Sequence, residues 1–139
     1  MKHTSISGHR AKFEALTVTR AAQAAIMILQ PGATSDDDLS NEHPRCEQWL
    51  YVIAGSGTAT VARSFAKRTI KLKTGSLLTI EKNELHQIQN TGSRPLRTLN
   101  IYVPPAYTQG GEVKASAKKQ TKRSMAGDLL DKATKAVGR

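Results

Sequence analysis

The chain has one cysteine, Cys46. No intrachain disulfide can form, and the protein is expected in a reducing compartment, the cytoplasm. Aromatic residues are few: two Phe, one Trp and three Tyr. Trp49, Tyr102 and Tyr107 are too scattered to stack successive bases, so aliphatic side chains must fill most of the core. The longest apolar run, AAIMIL at 24–29, is strand-sized and far below the roughly 20 residues of a membrane-spanning helix. The first twenty residues hold no apolar stretch of the secretory type. No nucleophile elbow, phosphate loop or paired-cysteine motif is present.

Acidic residues are also scarce, at 11 against 21 Lys and Arg, for a net charge of +10. The excess is uneven. Residues 112–139 hold 8 basic and 3 acidic residues, net +5, which leaves 13 and 8, also net +5, for residues 1–111. Such a tail attracts nucleic acid only non-specifically and in a salt-sensitive way. A solvated, solubilising tail is the simpler expectation.

What is present is a succession of short alternating runs. FEALTVT, AAQAAIMILQPG, QWLYVIAG, TATVARSF, KRTIKLKTG, SLLTIEKN, HQIQNTG and LRTLNIYVPP each read as a strand. Gly or Pro closes most of them. About eight short strands with a turn signal after nearly every one predict an all-β barrel or double-sheet sandwich. One domain is expected over residues 1–111. Residues 112–139 are expected to be a basic linker, ASAKKQTKRS, followed by a short amphipathic helix. Met125, Leu129, Ala133 and Val137 would line one stripe of that helix.

Two stretches carry more than strand pattern. NEHPRCEQWLYVIAG places His43 ahead of a strand in which Gln48 precedes Gly55 by seven positions. Further on, Gly75, His86 and Asn90 flank a turn at EKN, residues 81–83. Together they resemble the paired motifs of the cupin superfamily, small jelly-roll barrels of the double-stranded β-helix type. The first family motif reads His-x-His, then Glu, six residues and Gly. Here Asn41 and Gln48 stand where the family has His and Glu, while His43 and Gly55 match. In the second motif Gly75, His86 and Asn90 match, with Glu81 for the Pro and Asn83 for the Gly. Asn tolerates positive φ, so the turn is expected to survive. The resemblance spans residues from about 24 to 103.

The resemblance implies a pocket in the barrel mouth holding a divalent transition metal (Zn, Ni, Cu, Co or Fe), with His43, Gln48 and His86 as ligands and Asn41 as a fourth. Imidazole suits these ions. With no carboxylate among the ligands, affinity is expected to be lower than with the family's full set. A small polar or anionic metabolite is the expected ligand, with oxygenase, isomerase and epimerase chemistry all open. A non-enzymatic ligand-binding module with a degenerate metal site is the alternative. With Gln48 inward, Leu50 and Val52 also face in, and Trp49, Tyr51 and Ile53 face out. A slip of one residue would turn Glu47 inward instead. The outward apolar row leads us to expect a homodimer. Arg45, Arg94 and Arg97 would favour an anionic substrate if they lined the mouth.

Overall fold

Side chains that alternate between core and solvent select two-sided sheets, and the computed structural model, which describes residues 1–118, is built almost wholly from them. Eight strands run β1 (Phe13–Val18), β2 (Gln23–Leu29), β3 (Glu47–Ala54), β4 (Gly57–Arg63), β5 (Ala66–Leu72), β6 (Leu77–Ile80), β7 (Leu85–Asn90) and β8 (Leu96–Val103). They form a five-stranded sheet, ordered β1-β2-β8-β3-β6, and a three-stranded sheet, ordered β5-β4-β7. All pairings are antiparallel. The all-β double-stranded β-helix expected from the sequence is therefore the fold.

The register of β3 is the one that turns Gln48 inward. Gln48, Leu50 and Val52 are buried, whereas Trp49 and Tyr51 are exposed. Glu47 lies instead beside Trp49, whose indole N–H donates to its carboxylate. The core is stratified. Met27, Leu29, Leu50, Val52, Ala59, Leu72, Ile88 and Leu96 fill one end of the space between the sheets. Toward the other end Ala25, Cys46, Tyr102, Ala106, Tyr107 and Ala117 form a second apolar group.

Two local devices set the barrel's shape. Gly57 lies so close to β7 that an added Cβ would come within 2.3 Å of the Gln89 carbonyl oxygen. Asn83 has φ 67°, so it takes the left-handed turn in place of a glycine.

The packed body extends past residue 111, where a linker was expected. Val113 bridges Tyr107, a single turn of 3-10 helix forms at Ala115–Ala117, and Ala117 is buried against Cys46 and Tyr107. Ala117 also accepts the Arg45 N–H. A small side chain lets this otherwise polar stretch close over the barrel end. The stripe from Met125 to Val137 lies outside the described residues. Among the described residues no helix is long and apolar enough to cross a membrane.

Candidate functional site

The loop from Gln30 to Cys46 is long, but hydrogen bonds anchor it. The Ser40 carbonyl accepts the His86 N–H at 2.8 Å, and the Pro44 carbonyl accepts the Asn83 N–H at 2.9 Å. The Asn41 side chain donates to the Glu84 carbonyl at 2.9 Å, and its oxygen accepts the His43 N–H at 2.9 Å. These bonds tie the first histidine's loop to the turn that carries the second. The His43 and His86 rings consequently lie 5.3 Å apart, centroid to centroid.

Both rings are buried, with 2% and 5% of their surface exposed. Burial lowers both pKa values. That of His43 falls to about 4, helped by the neighbouring His86. For His86 the effect of burial is opposed by its bond to the Glu84 backbone and by the charges of Asp36 and Glu42. Both are therefore neutral at pH 7, the form that donates a lone pair. The Glu84 carbonyl lies 3.2 Å from His86 Nδ1. That bond puts the proton on Nδ1 and leaves Nε2 as the electron donor.

Gln48 is oriented from β8. Its Nε2 donates to Asn100 Oδ1 at 2.9 Å, and Asn100 Nδ2 donates to Thr98 Oγ1 at 3.0 Å. This chain fixes which end of each amide is which. Gln48 Oε1 is left buried without a partner, and so is His43 Nδ1; no other buried side-chain N or O among the described residues lacks one. Buried polar atoms normally have partners. Two orphans, on two of the three inward-facing residues of one expected ligand set, mark a place built to meet something polar.

A cavity of about 230 Å³ opens there, lined by His43, Gln48, His86, Tyr102 and Tyr107, with Lys12, Asp36 and Glu42 toward solvent. Tyr107 donates its hydroxyl to Glu42. Burial pushes the hydroxyls of both tyrosines well above the ordinary range, so they remain neutral donors. Burial and the nearby Glu42 raise the Asp36 carboxyl, while His86 and Ser35 oppose the rise. Among the described residues no three His, Cys, Asp or Glu side chains converge as metal ligands would. The two histidines are completed by an amide instead.

Other expectations land elsewhere. The Asn41 amide is bonded at both ends, to the Glu84 carbonyl and the His43 N–H, and Asn41 is not among the residues that line the pocket. Cys46 is buried in the apolar cluster, its Sγ 4.0 Å from the Pro105 carbonyl, and burial raises its thiol. Arg45 is exposed. Arg94 and Arg97 line a different cavity, at the far end of the barrel. Asn90 shares the inward face with His86 but is structural: it donates to the Leu29 and Arg94 carbonyls and accepts the Gly92 N–H. Lys12, Asp36, Tyr102 and Tyr107 were missed as pocket residues. Only Tyr102 had a usable signal, since alternation places it on the face of Thr98 and Asn100.

Comparison with known proteins agrees with this fold. The family model described as Cupin domain matches residues 25–102, more than half of the chain. The chain belongs to the cupin family. A crystallised protein from Bacillus halodurans superposes with a TM-score of 0.67 at 28% identity, covering 76% of this chain and 78% of that one. An rmlC-like cupin family protein from Methanocaldococcus jannaschii, with a double-stranded β-helix fold, gives 0.59 at 23% identity, covering 75% and 91%. Oxalate decarboxylase from Bacillus subtilis gives 0.54 at 27% identity, covering 60% of this chain and 21% of that larger one. No curated protein matches by sequence.

Proposed function

We propose that this cupin binds a divalent transition metal in the barrel mouth through His43 Nδ1, Gln48 Oε1 and His86 Nε2, and acts there on a small polar or anionic metabolite. The observation that carries the reading is the pair of buried, unpartnered atoms, His43 Nδ1 and Gln48 Oε1. A bound ion would supply Lewis acidity to a substrate oxygen. The chain's own groups suit a small acid. Lys12 at the rim can pair with its charge, and the Tyr102 hydroxyl can donate to its oxygens, while Tyr107 gives its proton to Glu42. Asp36, whose carboxyl is raised mainly by burial, is the pocket's candidate proton carrier. Asp36 and Glu42 also supply the negative charge that the ligand set lacks. The volume is below the roughly 300–1,000 Å³ of drug-sized sites, which favours a metabolite of few atoms. The likeness to one part of oxalate decarboxylase supports an anionic substrate.

Protein purified without chelator or histidine tag should carry metal by elemental mass spectrometry. His43→Ala and His86→Ala should each lose it, and Gln48→Glu should bind it more tightly by adding charge of the opposite sign. Retention at wild-type stoichiometry by both alanine variants would reject the assignment. A non-enzymatic ligand-binding module is the second reading, favoured by the neutral amide at position 48. It predicts ligand binding that is unchanged when metal is stripped.

A further inference from the structure

The second-end cavity has its own chemistry. It is an open concavity of about 600 Å³ beside the ends of β2 and β3 and the start of β8; Arg10, Arg94, Arg97, His9 and Thr74 are in its lining, which holds no carboxylate, although Glu14 is bonded to His9 at 2.7 Å. β3 runs from Gln48 at the histidine pocket to Ala54 at this cavity, a span of about 20 Å at the usual strand rise. The two sites are therefore separate.

The N-terminal segment forms one wall. Arg97 donates to the Ile6 and His9 carbonyls at 3.3 and 3.4 Å, which holds that segment against β8. The apolar Ile28 side chain, buried on the outer face of β2, lies at the floor.

The cavity gathers three arginines. Among the described residues the ion pairs are His9–Glu14 and Arg63–Glu81. Arg10, Arg94 and Arg97 thus share one concavity without a carboxylate partner. Like charges held together repel, and this happens in a chain that already carries +10. Arginines gathered around a hollow are arranged for an anion of several charges. The guanidinium fork matches phosphate oxygens two at a time. The volume falls within the range of small-molecule sites.

We propose that this cavity binds a small metabolite bearing a diphosphate or more than one phosphate, held by Arg10 and Arg94, with Arg97 fixing the wall and adding positive charge.

Inorganic pyrophosphate is the probe, titrated calorimetrically into the full chain at low salt. Arg94→Gln and Arg10→Gln, both at exposed positions, should each weaken binding about tenfold or more, and the double variant further. Arg45→Gln, on the exposed loop at the opposite end, should leave binding unchanged. The variants should melt at the wild-type temperature, which separates lost binding from lost folding. His86→Ala should retain pyrophosphate binding, which distinguishes this cavity from the histidine pocket. Absence of binding by the wild type, or equal weakening by Arg45→Gln, would overturn the proposal; the latter would mean diffuse attraction by the basic chain. Tighter binding of a single-stranded oligonucleotide than of pyrophosphate, lost in the same variants, would also overturn it in favour of a nucleic-acid surface.

Discussion

Gln48 donates an amide hydrogen to Asn100 Oδ1 across 2.9 Å, and its oxygen is left buried and unpartnered beside the pocket it helps to line. The donor atom on β3 is thus aimed by a residue on β8. Replacing Asn100 with Leu removes the acceptor and leaves buried N–H groups unsatisfied. The expected cost is about 1–3 kcal/mol in urea unfolding. Metal affinity should fall about 10–100-fold through loss of orientation. Asn100→Leu protein that binds metal as tightly as wild type would show that Gln48 needs no such support.

Stability of the metal-free protein should fall on acidification. The pKa of His43 is about 4 in the folded state against 6.5 for a free imidazole. Between those values the unfolded chain takes up a proton that the folded chain refuses, so unfolding is favoured as pH drops from about 6.5 to 4. The gap corresponds to roughly 3 kcal/mol at full expression. His86 is shifted in the same direction. Asp36, raised, works the opposite way at the acid end. His43→Leu should flatten the His43 part of the slope. Denaturation midpoints at pH 7.5 and 4.5 that match in the wild type would refute this.

Gly57→Ala should destabilise the barrel by about 1–3 kcal/mol, as overpacking does. The added Cβ would meet the Gln89 carbonyl at 2.3 Å and Leu96 Cδ2 at 2.9 Å. Gly75→Ala provides the contrast: nothing lies within 4 Å there, and only its positive φ of 89° resists substitution. Thermal melts of the two variants should therefore separate, with Gly57→Ala the lower.

The outer face of β3 and β6 sets up the expectation of a homodimer. Trp49, Tyr51 and Leu77 are 44%, 43% and 61% exposed, and Val103 on β8 adds 41%. Pairing places Tyr51 opposite Leu77 and Trp49 opposite Ile101, so the apolar surface is contiguous. The N-terminal segment reaches Arg97 and Ile28, but Trp49 stays exposed. A second copy turned through a two-fold axis would cover the row with itself. Light scattering should report a dimer at high micromolar concentration, and Trp49→Glu should yield monomers. A monomeric wild type would dismiss it.

The strands and the sense of β3 were legible because period-2 alternation fixes a face, and Trp49 and Tyr51 could occupy only one side if Leu50 and Val52 took the other. His43 and His86 were legible through spacing alone. The route of the loop through residues 31–46 was not, since it depends on hydrogen bonds to a turn some forty residues later. For the same reason the sequence did not reveal that Asn41 is consumed by the Glu84 carbonyl and the His43 N–H. Nor did it show that Lys12 and Tyr107, from opposite ends of the chain, meet at one cavity. Ala117 looked like part of a linker because its neighbours are polar, and only packing reveals that it plugs the barrel end.

The hydrogen bonds that dock the His43 loop onto the β6–β7 turn have a kinetic consequence. His86 follows His43 by 43 positions. Bringing them together means closing a long loop and assembling strands from both sheets, which are late, entropically costly events in chains rich in distant contacts. A metal ion meeting the nascent chain would find isolated imidazoles rather than a chelate. The histidine pocket should therefore be an outcome of folding rather than its seed, and uptake of an ion there should report that the two sheets have come together.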